Sequence, residues 1–327
     1  MTIMAKIKRV AVLTSGGDAP GMNPCIRAVT RTALFNGCEV VGVQEGYYGL
    51  LNGLFDALTA REVGSIIQRG GTMLGTARSQ EFYQLEGQLK AVEQIKAAQI
   101  DGLVVIGGDG SMRGARALCA QGLRVVGIPA SIDNDIWGTN MAIGVDTALN
   151  TLSDAIDKLR DTASSHRRAF VIETMGRNCG YLAVMAGVIG GAEVVLIPEV
   201  SVSIEEVAET IEGAYKRGKT HSIIIVAEGA SVKTQDLAKA LDALQVGFAT
   251  RVTILGHIQR GGRPSAFDRL LASRLGVKAV DALLAGESDV MMCLRGRDIV
   301  SVPLEKIVSR QRAANLEYFE MAKMLAF

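Results

Sequence analysis

Two carboxylates, Asp133 and Asp135, stand two residues apart directly after the apolar run at residues 124–128. A carboxylate at the end of a strand can accept the proton of a reacting hydroxyl group, and a second one can help to hold Mg²⁺. Asp and Asn are also frequent in helix N-caps and turns, so the spacing by itself leaves a purely structural role open. The pair is a candidate catalytic centre.

Three glycine-rich segments, residues 14–23, 107–111 and 175–180, each follow an apolar run and precede a helical pattern. Such turns place backbone N–H groups at the start of a helix, where anions bind, although each could also be an ordinary strand–helix turn. None of them fits the P-loop pattern or the dinucleotide pattern G-x-G-x-x-G. A standard P-loop nucleotidase and a Rossmann dehydrogenase are therefore disfavoured.

Five arginines lie at the edges of apolar runs or beside glycine turns, where a guanidinium fork could bind phosphate oxygens. They are Arg78, Arg168, Arg177, Arg251 and Arg260. Most of the 35 Lys and Arg residues must simply be solvated surface. His257 also follows an apolar run, but no Cys or carboxylate stands near it at metal-ligand spacing, which excludes zinc there.

The elements that must position these residues alternate between strand and helix patterns, which indicates an α/β fold with parallel sheets. The apolar runs predict strands at residues 10–14, 40–44, 103–106, 124–128, 169–173, 194–197, 223–227 and 252–255. Helical periodicity predicts helices at residues 24–36, 112–121, 142–162, 204–217 and 267–284.

Length and composition set the wider limits. A chain of 327 residues exceeds the usual size of one core, so two lobes are expected. The net charge of +1 provides no overall field for binding nucleic acid or a membrane surface. Five cysteines without C-x-x-C spacing favour free thiols, and the N-terminus has no signal-peptide pattern, so we expect a cytoplasmic protein.

Six segments together resemble the bacterial-type, ATP-dependent 6-phosphofructokinases, in the order found in that family and over most of the chain. They are residues 16–23, 69–78, 107–111, 132–135, 175–177 and 256–262. The resemblance implies two Rossmann-like α/β lobes with mainly parallel sheets and the active site in the cleft between them. It further implies a nucleotide-binding lobe at residues 1–144 plus 259–309, and a sugar-phosphate-binding lobe at residues 145–258 plus 310–327.

The resemblance also implies a reaction: transfer of the γ-phosphoryl group of Mg-ATP to the 1-hydroxyl of fructose 6-phosphate. The implied nucleotide-binding residues are Gly16, Tyr47, Arg78, Ser79, Gly108, Asp109, Gly110 and Ser111, with Asp109 also binding Mg²⁺. The implied catalytic residues are Asp133 as the base, Asp135, Arg177 and Ser131. The implied sugar-phosphate residues are Ser131, Asp133, Arg168, Met175, Gly176, Arg177, Glu228, Arg251, His257 and Arg260.

Oligomerisation and regulation follow from the same resemblance. Arg168 and Arg251 match arginines that reach into a neighbouring subunit's site, which implies a homotetramer. An effector site for ADP or phosphoenolpyruvate is implied at Arg27, Arg31, Arg160, Glu193, Arg217, Lys219 and His221. Ala60 and Thr220 stand where this site usually carries cations, which should weaken its affinity for anions.

Two further departures concern the active site. Ala130 and Ser131 stand where the family usually has Gly and Thr, and Ser79 replaces an aromatic residue near adenine. Two alternatives remain: a pyrophosphate-dependent phosphofructokinase and a non-catalytic subunit that only binds sugar phosphate. Pyrophosphate users tend to carry Asp at position 110 and Lys at position 130, whereas this chain has Gly110 and Ala130. Asp109, Asp133 and Asp135 argue against a non-catalytic role.

Overall fold

The structure, a computed structural model, describes residues 7–326. Their contacts divide the chain into two compact units, each assembled from separate segments. The first comprises Met1–Ile132, Ile136–Thr147 and Arg260–Gln311, and the second comprises Asp133–Asp135, Ala148–Gln259 and Arg312–Phe327. The acidic segment Asp133–Asp135 thus groups with the smaller unit. The lobe boundaries that the resemblance implies stay a prediction.

The strands of the described residues form two sheets. They are β1 (Arg9–Ser15), β2 (Glu39–Val43), β3 (Phe55–Ala57), β4 (Gly102–Gly107), β5 (Val125–Pro129), β6 (Arg168–Thr174), β7 (Val194–Leu196), β8 (Ser222–Ala227), β9 (Ala249–Ile254), β10 (Val290–Arg295) and β11 (Asp298–Pro303).

The helices lie between these strands and after the last of them. They are α1 (Met22–Phe35), α2 (Gly46–Asn52), α3 (Leu85–Ala97), α4 (Asp109–Ala120), α5 (Val145–His166), α6 (Tyr181–Gly190), α7 (Ile204–Lys216), α8 (Thr234–Leu244), α9 (Ala266–Leu284), α10 (Leu304–Val308) and α11 (Leu316–Leu325). Short 3₁₀ turns occupy Glu81–Tyr83 and Gly256–Arg260.

The first unit is built on a seven-stranded sheet of order β11-β10-β5-β4-β1-β2-β3. Its inner strands are parallel, whereas β3 and β11 pair antiparallel at the two edges. Every residue of β4 and β5 is buried, as expected for parallel strands that are covered on both faces. Helices α1 and α9 pack against each other beside this sheet.

The second unit contains a four-stranded sheet of order β7-β8-β6-β9, and all of its pairs are parallel. Its central strand β8 is buried throughout. Apolar side chains of α7 and α8, among them Val207, Ile211, Leu237 and Leu241, form a core against this sheet. None of the helices in the part of the chain that the structure describes is both long enough and apolar enough to cross a membrane.

The predicted fold class, two α/β lobes with mainly parallel sheets, is confirmed. All eight predicted strands and all five predicted helices are present, with ends displaced by only a few residues. The sequence analysis missed β3, β10 and β11. Strands β10 and β11 form a hairpin in which Arg295 pairs with Asp298, and Gly296 adopts a φ of 59° in the two-residue turn. A glycine at this position of a short hairpin was an available signal.

Candidate functional site

The first two glycine turns lie side by side in the first unit. Strands β1 and β4 are parallel neighbours, and their last residues, Ser15 and Gly107, are in register. After β1 the chain moves to β2 on one side of this pair, and after β4 it moves to β5 on the other side. The carboxyl ends of β1 and β4 therefore form a topological switch point. Ligands of open α/β sheets bind at such points.

Helix α4 begins at Asp109, directly after Gly108. The N–H groups of a first helical turn lack intrahelical partners and carry the positive end of the helix dipole. A methyl group on Gly110 would have no atom within 4 Å, so the space beside this turn is open. The start of α4 therefore has free space and first-turn N–H groups, which suit a phosphate ligand.

Asp109 is the candidate Mg²⁺ ligand. Its carboxylate is partly exposed, and Oδ2 accepts a hydrogen bond from Arg113 Nε at 2.9 Å. No group of three His, Cys, Asp or Glu side chains suited to a metal occurs among residues 7–326. Mg²⁺ is commonly held by one or two carboxylates together with substrate phosphates and water. A single carboxylate beside a phosphate-binding turn fits that requirement.

Ser111 and Tyr47 support the start of α4 from beneath. Tyr47 is buried, and its hydroxyl donates to the Ser111 carbonyl at 2.6 Å. Its ring stacks on Phe82 with 4.1 Å between centroids, while Gly114 leaves room for it on α4. Burial raises the pKa of Tyr47 well above its usual value, so its hydroxyl remains a donor. Tyr47 thus acts as a support of the turn.

Hydrogen bonds fasten the loop that carries Arg78 to the first glycine turn. Thr14 Oγ1 donates to the Gly75 carbonyl at 2.9 Å, and Thr76 Oγ1 donates to the Gly16 carbonyl at 2.9 Å. Arg78 follows two residues later and is exposed. Ser79 Oγ accepts a hydrogen bond from the backbone N–H of Phe82, in the following 3₁₀ turn, at 3.2 Å. The loop therefore brings an exposed guanidinium near the first turn.

Asn23 fastens the preceding part of the same loop from the buried start of α1. Its Nδ2 donates to the carbonyls of Arg69 and Gly70, at 3.2 and 3.0 Å, and its Oδ1 accepts from Met73 N at 2.7 Å. This explains why an asparagine closes the motif at residues 16–23. Its amide has both the donor and the acceptor that the loop requires.

Ser131 and Arg260 complete the predicted residues brought together in the first unit. A methyl group on Gly108 would lie 3.9 Å from Ser131 Cβ, so the two residues are neighbours. A methyl group on Gly17 would collide with the guanidinium of Arg260, which lies against the exposed turn. Ala130 is only 1% exposed, so its added methyl group is largely buried.

In the second unit, five predicted residues follow the carboxyl ends of three neighbouring parallel strands. Met175, Gly176 and Arg177 follow β6, Glu228 follows β8, and His257 follows β9. Glu228 N donates to the Thr174 carbonyl at 2.9 Å, and Arg177 Nε lies 3.7 Å from Glu228 Oε1. The site thus presents a cation, a carboxylate and an exposed imidazole at one edge of the sheet.

Two residues that the sequence analysis did not single out organise this edge. Gln259 is fully buried, and its amide accepts from Met175 N at 3.1 Å and donates to the Gly256 carbonyl at 2.9 Å. Glu199 accepts from Gly180 N at 3.0 Å, just before α6. The expectation that this third helix start binds an external anion is therefore wrong at Gly180, because an internal carboxylate already occupies its N–H.

The acidic segment makes a tight turn between its two carboxylates. Asn134 is buried and has a φ of 50°, a left-handed conformation that asparagine tolerates better than most residues. The side chain of Asn134 bonds to Tyr181, and the Asp135 carbonyl accepts from Arg312 N at 3.3 Å. Burial raises the pKa of Tyr181, which favours its neutral hydroxyl. These contacts fix the backbone directly after Asp133.

Arg168 and Arg251 are not brought to the same edge as Met175. Arg168 is the first residue of β6, and Arg251 pairs with Phe170, the third residue of that strand. Arg168 lies six residue steps before Thr174, which corresponds to about 20 Å, and Phe170 lies four steps before it, about 13 Å. Arg251 Nη1 donates to the Thr250 carbonyl at 2.8 Å, so neither arginine joins the set at the carboxyl edge of its own sheet.

Four of the predicted effector residues form a network in the second unit. Arg160 donates to the carbonyls of Gly190 and Gly191, and its Nη1 lies 3.3 Å from His221 Nε2. Burial, followed by the charge of Arg160, lowers the pKa of His221. These groups surround the end of α6.

Glu193 anchors the other half of the network. Lys219 Nζ donates to Glu193 Oε1 at 3.0 Å and to the Ala326 carbonyl at 3.1 Å, and Ile223 N donates to Glu193 Oε2 at 2.7 Å. Arg217 lines the same cavity of about 610 Å³ as Glu193. Arg27 and Arg31 belong to α1 of the first unit.

The first unit has glycine turns at a topological switch point and a helix start that is open to phosphate. The second unit has a strand edge that carries arginine, carboxylate and imidazole groups. These are the features of an α/β protein that binds phosphorylated ligands. The chain belongs to the phosphofructokinase family, which it matches over residues 9–283.

Individual relatives agree with this assignment. An ATP-dependent 6-phosphofructokinase of Thermotoga neapolitana is 52% identical over 321 residues, which cover 98% of this chain and 100% of that protein. The solved phosphofructokinase of Pichia pastoris in the T-state superposes with a TM-score of 0.89 at 38% identity, covering 93% of this chain and 35% of that one. A pyrophosphate-dependent phosphofructokinase of Marinobacter aquaeolei gives 0.86 at 21% identity, covering 95% and 86%, which shows the fold alone.

Proposed function

We propose that this chain is an ATP-dependent 6-phosphofructokinase, which transfers the γ-phosphoryl group of ATP to the 1-hydroxyl of fructose 6-phosphate. The observation that carries the proposal is the phosphate-binding start of α4 beside the first glycine turn, with open space at Gly110. The similarity to relatives named for this reaction extends over the whole length of those proteins.

ATP is held in this proposal by residues of the first unit. The N–H groups of Gly108, Asp109 and Gly110 bind phosphate oxygens, and Arg78 adds a cation beside them. Mg²⁺, held by Asp109 and the phosphates, would supply neutralisation of the charge on the transferring group. Tyr47 and Ser111 keep the start of α4 in place, so that the donors need not reorganise.

Fructose 6-phosphate is held in this proposal by Ser131 and by the carboxyl edge of the second unit, where Met175, Gly176, Arg177, Glu228 and His257 lie. Arg260 also binds the sugar phosphate, as its family position indicates. Arg177 and Ser131 then assist the transferring phosphoryl group.

Asp133 is the proposed base that accepts the proton of the 1-hydroxyl group, and Asp135 assists at the same centre. The tight turn at Asn134 supports this role, because it fixes the backbone of the acidic segment. Such positioning is what phosphoryl transfer requires, since the chemical step needs alignment and charge stabilisation more than covalent participation by the protein.

Gly110 and Ala130 argue against the use of pyrophosphate. An acidic side chain at position 110 would occupy the space in which we place ATP, and Gly110 leaves that space open. The likeness to a pyrophosphate-dependent structure at 21% identity concerns the fold and carries no information about the donor. A non-catalytic subunit would need none of Asp109, Asp133 and Asp135.

A homotetramer is part of the proposal. Arg168, at the opposite end of β6 from Met175, and Arg251, which pairs with Phe170, stay away from the carboxyl edge of their own sheet, and this supports a role toward a neighbouring subunit.

The network around Arg160, Glu193, Lys219 and His221, together with Arg217, Arg27 and Arg31, is the proposed effector site for ADP or phosphoenolpyruvate. Its excess of cations suits a phosphorylated effector. A cytoplasmic location is proposed as well, and the five free cysteines support it.

A coupled assay tests the function directly. The purified chain is supplied with Mg-ATP and fructose 6-phosphate, and formation of fructose 1,6-bisphosphate is followed. Parallel reactions replace ATP by pyrophosphate, or fructose 6-phosphate by tagatose 6-phosphate. We expect turnover with ATP and fructose 6-phosphate and essentially none with pyrophosphate. Efficient use of pyrophosphate would refute the assignment of the donor, and no turnover with any pair would refute catalysis.

A further inference from the structure

One carboxylate that the proposed chemistry does not use, Asp268, is completely buried in the first unit. It is the third residue of α9, and it faces the start of α5. Oδ1 accepts from Gly144 N at 2.9 Å, and Oδ2 accepts from Thr147 N at 2.8 Å and Thr147 Oγ1 at 2.6 Å. Burial raises the pKa of Asp268, and these three donors oppose the rise.

The two helix starts cap each other. Ser265, the N-cap of α9, accepts from Asp268 N at 3.1 Å and donates to Asp146 Oδ2 at 2.5 Å. Thr147 Oγ1 in turn accepts from Ser265 N at 2.9 Å. Asp268 of α9 therefore satisfies the first-turn N–H of Thr147 on α5, while Thr147 accepts the N–H of Ser265, the N-cap residue of α9. We call this arrangement of Asp146, Thr147, Ser265 and Asp268 the reciprocal cap.

The α5 side of the reciprocal cap continues directly into the segment that carries Ser131. Ile143 precedes Gly144, its carbonyl accepts from Ser131 N at 3.1 Å, and its N–H donates to the Pro129 carbonyl at 3.0 Å. The bond from Gly144 N to Asp268 therefore fixes Gly144, and Gly144 is the neighbour of Ile143, which binds Ser131. A displacement of Gly144 would be transmitted through a single peptide unit.

The α9 side continues into the segment that carries Arg260. Ser265 lies five residues after Arg260, and the intervening turn is fixed by a bond of 2.9 Å from Arg269 Nε to the Pro264 carbonyl. Arg260 lies against Gly17. The direction in which α9 starts therefore sets where this guanidinium meets the first glycine turn.

The first glycine motif also packs on the reciprocal cap. Gly21 has a φ of 121°, and a methyl group there would collide with Ile143 and lie 3.6 Å from Asp268 Cβ. A methyl group on Gly144 would lie 2.7 Å from Ala19 Cβ. The segments around Gly16, Ser131 and Arg260 thus converge on one buried carboxylate.

We infer that Asp268 is a positioning residue, which through the reciprocal cap holds Ser131 and Arg260 in register with the first glycine turn. The inference rests on the proposed function, because it assigns Asp268 to the same reaction. A carboxylate is required because it offers acceptors to donors on two sides at once. An asparagine has one acceptor oxygen and would present N–H groups to N–H groups on the other side.

Thr147→Val is the primary test, since valine keeps the shape of threonine but lacks the hydroxyl that bonds to both Asp268 and Ser265. We expect kcat to fall on the order of ten-fold, because small misplacements of reacting groups have large effects on rate. KM for ATP should stay near the wild-type value, since the start of α4 is untouched. Thr147→Ser restores the hydroxyl and should restore kcat.

Val280→Ala is the matched control, because Val280 is completely buried on α9, the helix that carries Asp268, and lies more than two turns beyond the reciprocal cap. It should lower the melting temperature without lowering kcat at a temperature where the protein is folded. Thr147→Val with wild-type kcat, or with a loss no greater than in Val280→Ala, would overturn the inference.

Ser265→Ala provides a second measurement in case Thr147→Val does not fold. The substitution removes the bonds of Ser265 Oγ to Asp268 N and Asp146, on the α9 side of the reciprocal cap. We expect KM for fructose 6-phosphate to rise roughly five-fold with KM for ATP unchanged, because remote phosphate contacts orient the substrate. Unchanged constants in a folded Ser265→Ala protein would contradict the inference. If the wild-type protein itself does not phosphorylate fructose 6-phosphate, the proposed function is wrong. If the wild-type protein is active and both variants keep its kcat and KM values, only the role of Asp268 is refuted.

Discussion

Gly110→Asp tests the assignment of the start of α4 to ATP. Gly110 is the second residue of the helix, it is exposed, and a methyl group there would meet no atom within 4 Å. An aspartate therefore fits the folded protein and extends into the space in which we place the phosphates. The variant should bind ATP less tightly without disturbing the fold.

The magnitude follows from Coulomb's law. A phosphate oxygen bound to the N–H of residue 110 lies about 3 Å from that nitrogen, so the new carboxylate would lie on the order of 5 Å away from the phosphate charge. At that distance the repulsion of two unit charges is about 0.8 kcal/mol at a dielectric constant of 80 and about 3.3 kcal/mol at 20. KM for ATP should therefore rise between about four-fold and a few hundred-fold.

Folding should change in the opposite direction. Replacing glycine within a helix removes an entropic cost of about 0.5–1 kcal/mol, and an acidic residue in the first turn interacts favourably with the helix dipole by about 0.3–1 kcal/mol. The melting temperature of Gly110→Asp should be equal to or above that of the wild type. Weaker ATP binding in a protein of equal or greater stability cannot be attributed to unfolding.

Steady-state kinetics with varied Mg-ATP and saturating fructose 6-phosphate provide the assay. Gly110→Asn is the matched control, because it has the same size as aspartate without the charge. We expect the aspartate variant to lose clearly more affinity than the asparagine variant, with a difference that shrinks as salt is added. If both variants keep the wild-type KM for ATP, the start of α4 is not where the nucleotide binds.

The other predictions concern the base, the effector network and pH. Asp133→Asn should lower kcat by about 10²–10⁴-fold with little change in KM for fructose 6-phosphate, and a near-normal kcat would exclude Asp133 as the base. In Arg160→Ala, the shift of fructose 6-phosphate half-saturation by millimolar ADP or phosphoenolpyruvate should disappear; a wild-type shift would place the effector elsewhere. His221 has a lowered pKa, so the folded state binds its proton less readily than the unfolded state does. Its contribution to stability should be lost as the pH falls from about 6.5 toward the folded-state pKa, and His221→Gln should flatten the melting-temperature profile over that window. Identical profiles would contradict this.

The sequence by itself determined the fold class and the identity of most turns. Runs such as β4 and β5 are apolar throughout because both faces of a parallel strand are buried, and this leaves a pattern that local sequence reveals. The glycine turns are likewise visible locally, since backbone with a positive φ, as at Gly16 (86°) and Gly176 (127°), favours glycine. Six such segments in one order were enough to identify the family resemblance.

Tertiary structure decided which of these segments are neighbours and what each side chain does. Local periodicity shows that a face is buried, but strand order depends on long-range packing, and only the neighbouring positions of β1 and β4 bring Gly16 to Gly108. The same holds for side chains: Tyr47 supports Ser111, Glu199 fills the third helix start, and Arg168 lies at the opposite end of β6 from Met175. Asp268 appears unremarkable in the sequence, because its importance lies in partners more than a hundred residues away. A polar residue acquires its function from the groups that burial places around it, and that arrangement exists only in the folded chain.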